Sequence, residues 1–139
     1  MTETLLTQAA DRTGELDLDP RIGIEVLESV RATAAVRKSL HQLRGRGHVL
    51  ALDDWTAMPD QQALLPLADV VKIDLRDLIT AGPGLLDSAR ACGALTVAER
   101  VETPSQLHWC AELGFDFFQG NLYGAAQTLQ IRVSIGAAA

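Results

Sequence analysis

Short apolar runs alternate along this chain with amphipathic segments that end in glycine. The runs are RIGIEVLE (21–28), HVLALDD (48–54), ADVVKIDL (68–75), ALTVAERVE (94–102) and FDFFQG (115–120). Each is too short for a buried helix and dense in Val, Ile, Leu or Phe, so the pattern predicts five strands. Their apolarity is nearly continuous, which points to parallel strands covered on both faces. Between the runs, TAAVRKSLHQLRGRG sets Val36, Leu40 and Leu43 on one helical face, and Gly45 and Gly47 offer it an end. TPSQLHWCAELG carries the fullest helix signal: Thr103 as N-cap, Pro104 at the first position, Gln106 completing a capping box and Gly114 just past the end. LLDSARACG ends in the same way at Gly93, and the short piece from Met58 to Leu65 stops at Pro66.

The result is an α/β chain of parallel βα repeats, whose connections are expected to be right-handed. Two architectures accept such a repeat, an open doubly wound sheet and a (β/α) barrel. No G-x-G-x-x-G element follows any strand, which counts against the dinucleotide-binding version of the former.

Composition narrows the classes of partner. With 139 residues, a net charge of -6 and 47% hydrophobic residues, the chain suits one globular domain with an ordinary core. The acidic balance argues against a nucleic-acid polymer as partner, and RGRGH (44–48) reads as a helix end where cations meet the negative dipole terminus. No apolar run is long enough to cross a bilayer, and MTETLLTQAADRTGE lacks the positive and apolar regions of a signal peptide, so no membrane partner and a cytoplasmic location are expected. Cys92 and Cys110 lack ligand spacing and are expected as buried, reduced thiols. His41, His48 and His108 are expected at the surface or at edges, and Trp55 and Trp109 in packing.

The candidate chemistry lies where the charges fall. Glu25 and Glu28 close the first run, Asp53 and Asp54 the second, Lys72 and Asp74 the third, Glu99 and Glu102 the fourth and Gln119 the fifth. In parallel α/β folds the carboxyl ends of the strands are where ligands bind. Carboxylates gathered on one rim repel each other, and a hard divalent cation, or a pair of them, answers that repulsion. Lys72 then contacts an anionic substrate or its attacking water, and phosphate-ester hydrolysis is the reaction class such sites serve most often. The plainer alternative treats each acid as a solvated loop residue or a helix N-terminal charge, with Lys72 paired to Asp54 or Asp74. Repetition over five strands favours the site.

The blocks IEVLES, ALDDW, VVKIDL, AERVET and GFDFFQGNLYG, in this order and spacing, resemble the second half of the EAL domain, the cyclic di-GMP phosphodiesterase barrel. DDW, a short loop and LLPLADVVKID are most similar to the EAL part of proteins that join an EAL-type domain to an HDOD domain. The resemblance runs from about Pro20 to about Tyr123. It implies about half of a TIM-type (β/α) barrel, with a helical lead-in over 1–19, a partial EAL-like domain over 20–124 and an unrelated tail over 125–139. It implies that Glu25, Asp53, Asp54 and Glu99 bind metal, magnesium or manganese, and that Glu99 is also the general base. Lys72 is implied near the attacked phosphate and water, Gln119 near the substrate, and Glu28 and Glu102 in support.

The departures shape the functional expectation. A complete barrel takes roughly 250 residues. The sequence has no Glu-Ala-Leu tripeptide, TAMPDQQ stands where a glycine-rich loop is usual, and Arg100 stands where active members carry glycine. The expectation is a truncated, degenerate EAL-type module of cyclic di-GMP signalling, inactive alone, acting by binding or interaction. The alternative is a metal-dependent cyclic di-GMP phosphodiesterase that works only when a second copy or a companion chain completes the barrel and covers its open edges.

Overall fold

In the computed structural model, which describes residues 23–121 and the backbone of 131–132, the five apolar runs become five parallel strands. These are β1 (Ile24–Val26), β2 (Leu50–Leu52), β3 (Val70–Asp74), β4 (Leu95–Glu99) and β5 (Phe117–Gln119). Their order across the sheet is their order in the chain. A doubly wound sheet reverses its strand order at a switch point, whereas a barrel wall adds each strand beside the last. The described residues are therefore part of a (β/α) barrel. A sixth, two-residue strand, β6 (Ile131–Arg132), pairs antiparallel with β5. The lead-in over 1–19 and the rest of the tail over 125–139 lie outside the described residues.

The connections form where the sequence signals them. Helix α1 (Ala34–Gly45) starts at Thr33, whose hydroxyl accepts from the Val36 amide, and buries Val36, Leu40 and Leu43. Helix α2 (Pro59–Leu64) is short and runs into a 3-10 turn at Leu65–Leu67. Helix α4 (Gly84–Ala89) precedes β4, and α5 (Pro104–Leu113) has the expected capping box between Thr103 and Gln106 and ends at Gly114 in the left-handed region. One helix has no counterpart in the sequence reading: α3 (Leu75–Ala81) begins on the residue after β3. Asp74 closes the strand and caps the helix at once, its Oδ1 accepting from the Arg76 amide at 2.8 Å. The apolar run continues through Leu75, so the change from strand to helix leaves no mark in the hydrophobic pattern.

Alternation along each strand separates two faces. Ile24, Val26, Leu50, Leu52, Val71, Ile73, Ala98 and Phe118 are buried in one apolar core with residues of the helices, among them Leu40, Leu43, Leu64, Leu78, Leu86 and Cys110. The opposite, inner face carries Glu25, Ala51, Val70, Lys72, Val97, Glu99, Phe117 and Gln119, none of them fully buried. Two aspartates pin the amino ends of the strands. Asp69 Oδ2 accepts from the Leu50 amide at 2.9 Å, and Asp116 Oδ2 accepts from the Thr96 amide at 2.8 Å and from the Thr96 hydroxyl. At the other end Gly120 passes so close to Val101 that a Cβ would overlap the Val101 backbone.

Two minor expectations are corrected. Cys92 is exposed and only Cys110 is buried, its thiol pushed up to about 11 by burial. His48 is buried, because it enters β2 directly from the end of α1, where its amide donates to the Leu43 carbonyl. His108 lies at the surface beside Glu112, as expected.

Candidate functional site

The inner face of the sheet brings the predicted residues toward the carboxyl ends of the strands. Register sets the levels: Lys72 lies beside Val97, and Asp74, Glu99 and Gln119 line up across β3, β4 and β5. Glu25 occupies the middle of β1, with Glu28 beyond its end, and Asp53 and Asp54 follow β2 directly. Asp54 has a φ of 44°, which turns the chain sharply at the top of the strand.

Lys72 is the bridge of this rim. Its Nζ lies 2.6 Å from Glu25 Oε1 and 2.6 Å from Glu99 Oε1, so the cation rising from β3 ties β1 to β4. Burial works against the Lys72 charge, but the hydrogen bonds to the two carboxylates outweigh it and its pKa is pushed up to about 12. Burial pushes the Glu99 carboxyl above its usual range; Lys72 opposes that, while the charges of Asp53 and Asp54 add to it. The alternative pairing of Lys72 with Asp54 or Asp74 is not what the structure shows.

A second group lies above β1 and β2. Glu28, Asp53 and Asp54 each offer a carboxylate oxygen, and these atoms all lie within 4.8 Å of one another. Burial, then the charge of Asp53, then that of Glu28, raise the Asp54 pKa. Hard oxygen donors this close are suited to a divalent ion such as magnesium or manganese, whose charge would relieve the repulsion. Glu28, read from sequence only as a supporting acid, stands with the aspartate pair, while Glu25 and Glu99 stand on Lys72.

Two clefts adjoin these groups and share Gln119. One of about 260 Å³ lies on the inner face between Glu25, Val70, Lys72, Val97, Phe117 and Gln119. The other, of about 320 Å³, is lined by Glu99, Arg100, Glu102, Gln119, Gly120 and Asn121, and it is where the structure places Glu102. Sequence reasoning placed Asp74 on the rim only as an alternative partner of Lys72, yet it anchors two other cations there. Its Oδ2 lies 2.9 Å from Arg76 Nη2 and 2.9 Å from Arg100 Nε, with its side chain only 5% exposed. Burial alone would raise the Asp74 pKa, but Arg76 first and Arg100 after it hold it below the usual carboxylate range. Arg100 adopts a φ of 60°, a region that favours glycine, and its side chain reaches back to Asp74.

A family model described as the EAL domain matches residues 2–126. The chain belongs to the EAL domain family. Among curated proteins this EAL chain is 31% identical over 115 residues to the cyclic di-GMP phosphodiesterase CdgJ of Vibrio cholerae, covering 81% of this chain and 27% of that protein. It thus spans about a quarter of the length of the curated relatives it matches. Among solved structures it is similar to the Bacillus subtilis YkuI protein, solved with an EAL domain in complex with substrate c-di-GMP and calcium. That likeness has 26% identity and a TM-score of 0.64, over 93% of this chain and 34% of that one. An EAL domain protein from Listeria monocytogenes, 24% identical, matches 88% of this chain and 54% of its own with a TM-score of 0.66, which supports the fold. Among the described residues no helix is long and apolar enough to cross a membrane.

Proposed function

We propose that this chain is an EAL-type module of cyclic di-GMP signalling in the cytoplasm, with residues 20–124 as its working unit, and that alone it binds or interacts without hydrolysing. The observation that carries this reading is the exposure of the inner face among the described residues. The Glu25 side chain is 51% exposed, and the clefts beside Lys72 and Gln119 lie along a sheet surface. Hydrolysis of a phosphodiester draws on a water-excluded chamber, where fixed charges act most strongly. Binding an anionic dinucleotide asks less: Lys72 and Arg100 for its phosphates and Gln119 for its polar edges. Calorimetric titration of the purified chain with cyclic di-GMP, with and without Mn²⁺, should show binding, and chromatography of the same samples should show intact ligand. Turnover by the chain alone, abolished by Glu99→Gln, would overturn this reading.

The grouping of Glu28, Asp53 and Asp54 favours a second reading, a metal-dependent cyclic di-GMP phosphodiesterase active when a second copy or a companion chain covers the inner face. In it Asp53 and Asp54, with Glu25 and Glu99, hold divalent metal, and Glu28 and Glu102 support them. The metal, when bound, would neutralise phosphate charge and acidify a water. Lys72 would orient an attacking water, Glu99 would take its proton and Gln119 would contact the substrate. Activity that rises with protein concentration in step with a dimer seen by light scattering is the expected sign, and a monomer without metal-dependent thermal stabilisation counts against it.

A further inference from the structure

Side chains of α2 bond the loop that carries the aspartate pair: Gln62 Nε2 donates to the Ala57 carbonyl at 2.8 Å, and Gln61, to which nothing above assigns a part, makes the larger set of bonds. Gln61 lies in α2 and is only 4% exposed. Its Oε1 accepts from the Thr56 amide at 2.9 Å, the Met58 amide at 3.3 Å and the Thr56 hydroxyl at 3.4 Å. Its Nε2 donates to the Asp54 carbonyl at 3.0 Å and the Asp53 carbonyl at 3.4 Å. One amide thus reads the backbone on both sides of the turn between β2 and α2.

The turn needs such a clasp. It contains two residues other than glycine with positive φ, Asp54 at 44° and Ala57 at 58°. The left-handed region is costly for Ala57 and milder for Asp54, since aspartate visits it more readily, and Asp53, Asp54 and Glu28 repel one another besides. Backbone bonds fix the turn at Asp53, whose amide donates to the Val26 carbonyl at 3.0 Å, and at Trp55, whose amide donates to the Lys72 carbonyl at 2.9 Å, which leaves Thr56 to Met58 to the side chains around them. Trp55, fully buried and donating its Nε1–H to Ser88 Oγ, anchors the middle of the loop to α4, but it touches neither the strained Ala57 peptide nor the aspartate carbonyls through that bond. Gln61 bonds the carbonyls of both aspartates and the amides on either side of Ala57.

We propose that Gln61 is the positioning residue of the aspartate pair: it sets the backbone from Asp53 to Met58 and so aims the Asp53 and Asp54 carboxylates at Glu28. The inference deepens the metal-site reading and rests on it for its purpose. Partners that orient metal ligands from behind typically change metal affinity 10–100-fold when removed.

The test uses the whole chain and two readouts, with Gln61→Met as the variant because methionine fills a similar volume without hydrogen bonding. Thr56 and Met58 are exposed, so water can take over their freed amides and the variant should fold. Hydrogen exchange should show the Thr56 and Met58 amides protected in the wild type and unprotected in Gln61→Met, with Val71 and Ile73 in β3 unchanged. Mn²⁺ titration, well below both melting temperatures, should show at least a tenfold loss of affinity. Unprotected Thr56 and Met58 amides in the wild type, protection that survives in Gln61→Met, or equal Mn²⁺ affinity in the two folded proteins would each overturn the proposal. A wild-type chain that binds no Mn²⁺ sinks the metal reading by itself; exchange then decides whether the clasp stands, and it does not require the metal result.

Discussion

Carboxylates occur at both ends of this sheet, and the two ends use them in opposite ways. At the amino ends of the strands, Asp69 and Asp116 each bond a backbone amide of the preceding strand, so their charge is spent on holding the register of neighbouring strands. At the carboxyl ends, Glu28, Asp53 and Asp54 face one another with their oxygens gathered, while Glu25 and Glu99 converge on Lys72. One end is finished as structure and the other is left electrostatically unsettled. Proteins accept such a cost where a ligand is to be met, which is why perturbed carboxyls at a rim point to function.

The comparison is most sharply tested at Lys72. Lys72→Met should cost about 3 kcal/mol in denaturant unfolding, because it leaves Glu99 with only 15% of its side chain exposed and without its cation. The same pair gives an alkaline signature. The Lys72 pKa is raised in the folded state, so its contribution is complete below about 10.5 and is lost as pH rises toward about 12. Stability curves of the wild type should fall through that window, and those of Lys72→Met should be flatter there.

Next in size is the amino end. Asp116→Ala should cost about 2 kcal/mol, since it strands the amide of the fully buried Thr96. Asp69→Ala should cost about 1 kcal/mol, its Leu50 amide bond being lost at a half-exposed site. Thermal melts with and without Mn²⁺ should show the same loss for both variants in either condition; a loss that depends on metal would break the division between the two ends.

The smallest effect has the opposite sign. Asp54 has a raised pKa in the folded state, so its charged form is disfavoured there, and its cost grows as pH rises through the range just above that of an ordinary aspartate. Asp54→Asn should therefore stabilise the metal-free protein at neutral pH by about 0.5 kcal/mol, and it should abolish any stabilisation by Mn²⁺. Asp74 runs the other way: its pKa is lowered, so its contribution is present at neutral pH and is lost only as pH falls below the ordinary carboxylate range.

The strands and the rim were legible because each rests on a repeated signal, an apolar run followed by an acid. What the pattern hid were residues that do two jobs or act through backbone. Asp74 looked like one more charge at a strand end, yet it is a helix cap and the anchor of Arg76 and Arg100. Helix α3 was invisible because Leu75 continues the apolarity of β3 into the next element. Gln61 carries no charge and sits in a polar stretch, so nothing in its type or spacing announced a buried residue with five hydrogen bonds to four residues. The pairing of Glu28 with the aspartates depends on the turn at Asp54, and a backbone reversal of that kind is set by three-dimensional contacts.

The short strand β6 has a further consequence. Beside β5 the sheet ends in a strand of reversed polarity, whereas among the described residues β1 has no strand on its far side. Among the described residues the parallel series is therefore open at Ile24–Val26 alone, which makes extension of the sheet directional. Three residues offer few backbone bonds, so the identity of such a neighbour would be read chiefly through side chains, with Glu25 at the centre of what it meets.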